Sequence, residues 1–215
     1  EADGWHSVPD GRTALTLDLP QDGSLFVVFR KPGQPRAAVP SAPSTGRLIL
    51  EGPWDVSFMP GRGAPAKAVF DSLIGWDKHP DTGIRHFSGT AAYRKTFEIS
   101  EADSAKPVWL ELGSVGALAQ VRLNGEDLGV VWTAPWKIEL TGSLKSGKNA
   151  LEIEVTNAWA NRLIGDAALP PAQRITKRNL QYEKGKRTLR NFQGFASLDE
   201  LQPSGLMGPV MLEFY

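Results

Sequence analysis

Residues 117–140 read ALAQVRLNGEDLGVVWTAPWKIEL. Apolar and polar side chains alternate along ALAQVRL, the two-residue period of a half-buried strand. NGEDLG turns the chain and GVVWTAPWKIEL carries it away again. The same pattern lies on both sides of this stretch. Upstream are RLILEG, GPWDVSF, KAVF, AYRKTFEI and PVWLELGSV; downstream are ALEIEVTN and GPVMLEF. Glycine, Asn-Gly and proline turns separate them at short spacing, as in β-sandwiches and jelly rolls. No segment shows a convincing long helical period. The expected fold is all-β, an antiparallel β-sandwich of jelly-roll type over residues 47–215.

The N-terminal part reads differently. TALTLDL (13–19) and SLFVVFR (24–30) flank a PQDG turn and form an expected hairpin. An isolated hairpin is marginal in water, so residues 1–31 are expected to be the terminal hairpin of a preceding β domain. Residues 32–46 are rich in proline, serine and alanine and read as a linker. Residues 172–200 are polar and irregular, a long loop or one short helix.

The chain has 215 residues, 41% hydrophobic and 22% charged, enough for a sizeable core. Its 24 basic and 24 acidic residues cancel, so no global basic field points to nucleic acid. It has no cysteine, which excludes disulfides, thiolate metal sites and a cysteine nucleophile. No apolar run approaches the ~20 residues that span a bilayer. No signal peptide is visible, and the chain opens on Glu1, as a processed protein or a fragment would.

The chemical motifs are weak. Gly142-Ser-Leu-Lys-Ser-Gly-Lys-Asn149 nearly matches a phosphate-binding loop. It ends in asparagine where a hydroxyl should meet Mg²⁺, and a strand follows it where a helix N-terminus should. It reads as a hairpin turn. His6, His79 and His86 have no metal-ligand spacing. Loop carboxylates such as Asp77, Asp81 and Asp166 leave room for a structural Ca²⁺, with no cofactor otherwise indicated. No carboxylate pair stands out as a glycosidase acid and base, there is no G-x-S-x-G elbow, and a (β/α)₈ barrel of ~250 residues does not fit. The basic run Arg174, Lys177, Arg178, Lys184, Lys186, Arg187 and Arg190 reads as a solvated loop, or as a patch for an acidic polysaccharide, nucleic acid or a neighbouring domain.

The tryptophans carry more. Trp54 and Trp109 sit on strands and read as core. Trp132 and Trp136 frame VWTAPWKI, Trp76 lies in a long irregular segment, and Trp159 follows a strand end in TNAWANRLIGD, residues 156–166. An indole offers a flat apolar face to a sugar ring, while Asn, Asp and Arg can bond its hydroxyls. Trp76 and Trp159 are expected at the surface or in a site.

Several runs resemble the sugar-binding jelly-roll domain of glycoside hydrolases: SGTAAYRKTFEI, VWLELGSVGALAQVRLNGEDLGVVWTAPWKIEL and LKSGKNALEIEVTNAWANRLIGD. The general form is shared with family 2 β-galactosidase-like enzymes. Trp76 with GIRHFSGTA (83–91) and TNAWANRLIGD resemble the C-terminal region of family 106 α-L-rhamnosidases, and the hairpin resembles the end of the domain before it. The resemblance implies a galactose-binding-domain-like jelly roll without catalytic residues, from a bacterial, exported enzyme. Its partners would be carbohydrate (plant cell-wall or other polysaccharide, rhamnose-containing included) and the catalytic domain of the same polypeptide, with neither nucleic acid nor membrane. It also implies that loop 76–92, carrying Trp76, Asp77, His79, Arg85 and His86, leans towards the active-site side.

Two readings of 156–166 stand open. Asn157, Trp159, Asn161, Arg162 and Asp166 could form a stacking platform for a sugar, which requires Trp76, Trp132, Trp136 and Trp159 to be exposed together in a concave patch. Alternatively Arg162 and Asp166 pair, the asparagines cap loop backbone, and the domain buttresses an upstream barrel. An independent glycosidase is opposed by size and resemblance.

Overall fold

The computed structural model describes residues 4–15, 17, 19, 24–29, 34, 43–176 and 194–215. A small hairpin of β1 (Trp5–Ser7) and β2 (Thr13–Leu15) comes first. The sandwich begins with β3 (Gly46–Ile49), β4 (Trp54–Phe58) and β5 (Lys67–Phe70). Helix α1 (Thr82–Arg85) then leads into the long β6 (Thr90–Ile99). After α2 (Glu101–Ser104) come β7 (Val108–Glu111), β8 (Val115–Gly116), β9 (Leu118–Leu123), β10 (Glu126–Val131) and β11 (Lys137–Glu139). The equally long β12 (Gly147–Thr156) runs into α3 (Ala160–Ala167). β13 (Gly205–Leu206) and β14 (Met211–Phe214) close the fold.

All pairings are antiparallel. Six strands form one sheet in the order β10-β9-β12-β6-β4-β5, and four form the other in the order β11-β7-β14-β3. Alternation is what faces them together. Ala119, Val121 and Leu123 of β9 and Leu151, Ile153 and Val155 of β12 are buried, while their even-numbered neighbours face out. Val108 and Leu110 of β7 and Leu212 and Phe214 of β14 close the core from the other sheet. Each such valine, leucine, isoleucine or phenylalanine contributes about 1.5–3 kcal/mol on burial. The expected jelly-roll sandwich is the fold found.

The turns follow local chemistry. Asn124 and Gly125 take φ of 54° and 85°, the left-handed pair that suits a tight hairpin between β9 and β10. In the turn 142–149, Asn149 is fully buried. Its Oδ1 accepts from Lys145 N (3.0 Å) and Asn124 Nδ2 (2.9 Å), and its Nδ2 donates to Lys145 O (2.7 Å). The phosphate-loop lookalike is thus a turn pinned by its own asparagine.

Three expectations need correction. The hairpin lies one strand earlier: Thr13–Leu15 pairs with Trp5–Ser7, closed by Val8 N→Arg12 O (2.9 Å), and residues 24–29 are not in a strand. The stretch 129–140 is two strands, because the Thr133–Pro135 bend hands the chain from one sheet to the other. Residues 160–167 form a helix. The expected linker and the basic run fall largely outside the described residues. Among the described residues no helix is long and apolar enough to cross a membrane.

Candidate functional site

The register of the larger sheet gathers one end of it. Val131 pairs with Ala119, Leu118 with Thr156, Thr156 with Thr90, and Phe58 with Ala91. Trp132, Asn157, Gly89 and Met59 therefore leave the same end of the sheet. At ~4.8 Å per strand, β10 and β12 are about 10 Å apart there. Trp132 is 72% exposed and Trp159 44% exposed. The Arg62 guanidinium sits 4.3 Å from the centre of the Trp159 ring, a cation–π contact.

The other expected residues are placed differently. Trp76, expected at the surface, is wholly buried. Its ring stacks parallel to Tyr93 (6.4 Å, 4°) and edge-on to Phe87 (5.2 Å, 84°), and its indole N–H donates to the Tyr93 hydroxyl. Burial pushes the Tyr93 phenol well above its usual range. An irregular segment has folded its indole back into the core. Trp136 packs half-buried against the core, as Trp54 does completely, while Trp109 is only half-buried.

Loop 76–92 is held mainly by its own members. Asp77 Oδ1 accepts from Ser204 N (3.2 Å). His79 stacks on Phe70 (5.0 Å), and its Nδ1 accepts from Asp81 N (3.1 Å). Burial lowers the His79 pKa; Arg85 adds to that and Asp81 opposes it. Asp81 caps α1 through Gly83 N (2.7 Å) and Ile84 N (3.1 Å). Arg85 donates to His79 O and Pro80 O, each at 3.0 Å, and His86 Nδ1 donates to Thr82 O (3.0 Å).

The polar residues of 157–166 are also turned inward. Asn157 clamps the start of β6, accepting from Gly89 N and donating to Phe87 O, both at 2.9 Å. Asn161 grips the C-terminal segment, accepting from Gln202 N (2.7 Å) and donating to Gln202 O (2.8 Å) and Ser204 Oγ (3.1 Å). Arg162 Nη2 and Asp166 Oδ1 pair at 2.9 Å, both buried. Asp166 also accepts from Ile175 N (3.2 Å), Thr176 N (2.6 Å) and the Thr176 hydroxyl. Burial alone would raise the Asp166 pKa, but the Thr176 and Ile175 bonds and the Arg162 charge bring it below the usual value. The glycines here are contact points. A Cβ on Gly165 would come within 2.7 Å of His86, and one on Gly63 within 2.9 Å of Arg162 Nη1.

Asp77, Asp81 and Asp166 thus have separate protein partners, and among the described residues no three metal-binding side chains converge. A hollow of about 80 Å³ at this end is lined by Ala117, Asn157, Asn161 and Ser204 among others, and neither exposed indole is in its wall. A broader depression of about 420 Å³ on the outer face of the same sheet has no aromatic wall. Its Arg94 and Arg122 are tied to Glu152 at 2.6 and 3.2 Å. Of the four tryptophans expected to be exposed together, Trp132 and Trp159 are exposed, and Arg62 lies over the Trp159 ring. Arg62 escaped the sequence reading because it lies in PGRGAP, a stretch that reads only as a turn.

Comparison with known proteins agrees with this architecture. A protein of Formosa agariphila provisionally named a beta-glucuronidase is 38% identical over 178 residues, 77% of this chain but 15% of that protein. A solved rhamnosidase from Novosphingobium sp. PP1Y superposes with a TM-score of 0.76 at 37% identity, over 98% of this chain and 19% of that one. A β-D-glucuronidase structure from Dictyoglomus thermophilum, at 19% identity and TM-score 0.54, shares the fold. The chain thus spans less than a fifth of the first two. The profile of the family described as "Glycosyl hydrolase 2 galactose-binding domain-like" matches residues 73–199. More than half of the sequence lies in that match, and the chain belongs to the glycosyl hydrolase 2 galactose-binding domain-like family.

Proposed function

We propose that this chain is a non-catalytic, saccharide-positioning domain of a larger bacterial glycoside hydrolase, exported and α-L-rhamnosidase-like. The observation that carries this reading is the pair of exposed indoles, Trp132 and Trp159, at one end of the larger sheet. Indoles are costly to leave in water, and their flat faces suit the C–H faces of sugar rings. The bond-breaking carboxylates are assigned to sequence outside this chain, in keeping with the small share of each relative that it spans.

The test is calorimetric titration of the chain with rhamnose, galactose, uronic acids and pectic oligosaccharides, with tryptophan fluorescence followed in parallel. Saturable binding with a fluorescence change that Trp159→Ala or Trp132→Ala removes supports positioning. Absence of binding to every sugar sinks it.

A second reading has its own support. The inward bonds of Asn157, Asn161, Arg162 and Asp166 make the α3 region a rigid seam, as a buttress for a catalytic barrel requires. On that reading the exposed indoles are covered by the neighbouring domain.

A further inference from the structure

Resting on the positioning role proposed above, we infer that the saccharide read at the Trp159 end carries an anionic group, a carboxylate or a sulfate, and that Arg62 is the residue that reads it. The strand-end segments there are free of carboxylates, while the C-terminal segment gripped by Asn161 carries Asp199 and Glu200. The strand-end segments are 59–63 (MPGRG), 87–90 (FSGT), 115–118 (VGAL), 131–136 (VWTAPW) and 156–160 (TNAWA), and they contain no aspartate or glutamate. Arg62 is their one cation. The other described arginines all have an acceptor. Arg12, Arg47, Arg94, Arg122 and Arg162 each pair with a glutamate or aspartate, and Arg85 and Arg174 donate to backbone carbonyls. Arg62 has no carboxylate partner among the described residues, and its guanidinium rests on an indole.

Its position is set by structure. Gly63, the next residue, packs against the buried Arg162 guanidinium, and the Arg62 stem runs past Gly89, whose N–H is held by Asn157. The planar fork therefore lies over one face of the Trp159 ring, which is 44% exposed. A guanidinium bonds carboxylate or sulfate oxygens in pairs, while the indole surface that Arg62 leaves uncovered accepts the ring carbons. A neutral sugar would gain the stacking and leave the cation unused.

The test compares D-glucuronate, a monosaccharide sulfate and neutral rhamnose, each titrated into the 215-residue chain and its Arg62→Gln and Arg62→Lys variants at low and high salt. The expected result is preference for one or both acidic ligands. That preference should weaken as salt shortens the screening length. It should fall by roughly tenfold or more in Arg62→Gln and be partly retained in Arg62→Lys, with unchanged melting temperatures. The two acidic probes distinguish a carboxylate reader from a sulfate reader. Equal binding of acidic and neutral sugars, or acidic binding that ignores Arg62→Gln, overturns the inference while leaving saccharide positioning intact. Loss of binding to every probe overturns both.

Discussion

Asp166 Oδ1 meets Arg162 Nη2 at 2.9 Å, one helical turn away, with both side chains shut off from solvent. Such a pair shows its importance when one partner is removed, because the other charge is left buried and uncompensated. Asp166→Ala is expected to cost about 3–5 kcal/mol and to lower Tm by roughly 10 °C. A near-native melting curve for this variant would mean that the α3 region is not the seam described.

Trp159→Ala should behave in the opposite way. Its ring is 44% exposed and its main partner is the Arg62 guanidinium, a contact of about 0.5–1 kcal/mol. Tm is expected to move little while saccharide affinity falls. A large drop in Tm with unaltered binding would take Trp159 out of the site.

Asn149 separates a pinned turn from a nucleotide loop. Its bonds to Lys145 and Asn124 vanish in Asn149→Ala, which is expected to destabilise the chain by about 2–4 kcal/mol. Lys148→Ala, at an exposed neighbour, should leave the melting curve in place. ATP·Mg²⁺ should stabilise neither the parent nor the variants, and a ligand-induced rise in Tm would refute the turn reading.

Acid sensitivity should be felt at the outer face of the smaller sheet. Glu213 is held down to about 2, first by the Arg47 guanidinium (2.6 and 2.9 Å) and next by the Tyr215 hydroxyl (2.8 Å). A carboxyl with a depressed folded pKa adds stability that is fully present above its ordinary value of 4.5 and is lost as pH falls towards 2. Arg47→Gln should therefore be less stable than the parent above pH 4.5, with the gap closing as pH drops towards 2. Parallel stability curves through that window would show that the pair contributes nothing.

The sandwich should fold without its N-terminal part. Among the described residues its ladder begins with Thr45 N→Phe214 O (2.7 Å) and its core cluster with Leu50. A chain starting at Pro43 should unfold in one cooperative transition. A broad, non-cooperative melt would place the boundary elsewhere.

The sandwich could be read because alternation survives in its long strands. In 150–156 every inward position is apolar and every outward one is polar or small. Alternation fails where one period continues across a change of sheet, as from Val131 to Lys137. It is also silent about α3, which has only eight residues: Ala160, Leu163, Ile164 and Ala167 share one face and Asn161, Arg162 and Asp166 the other, but so short a run shows barely two helical turns, and its polar face is buried as well. Trp76 shows a further limit. Its neighbours in space, Phe58, Phe87 and Tyr93, come from three segments, and nothing local to GWDKH announces that they enclose an indole. The exposure of Trp159, by contrast, was legible from its place just past a strand end.

The pairing of β3 with β14 matters for how the domain is born. Gly46 opposes Phe214, and the late strand lies between β7 and β3 in its sheet. A nascent chain emerging from the ribosome cannot finish the smaller sheet until Met211–Phe214 has been synthesised, although the larger sheet is complete by Thr156. Contacts so distant along the chain slow folding to the range of about milliseconds to seconds. For that interval Val108 and Leu110 have one half of their cover missing, which makes this edge the place where chaperones or premature association would act.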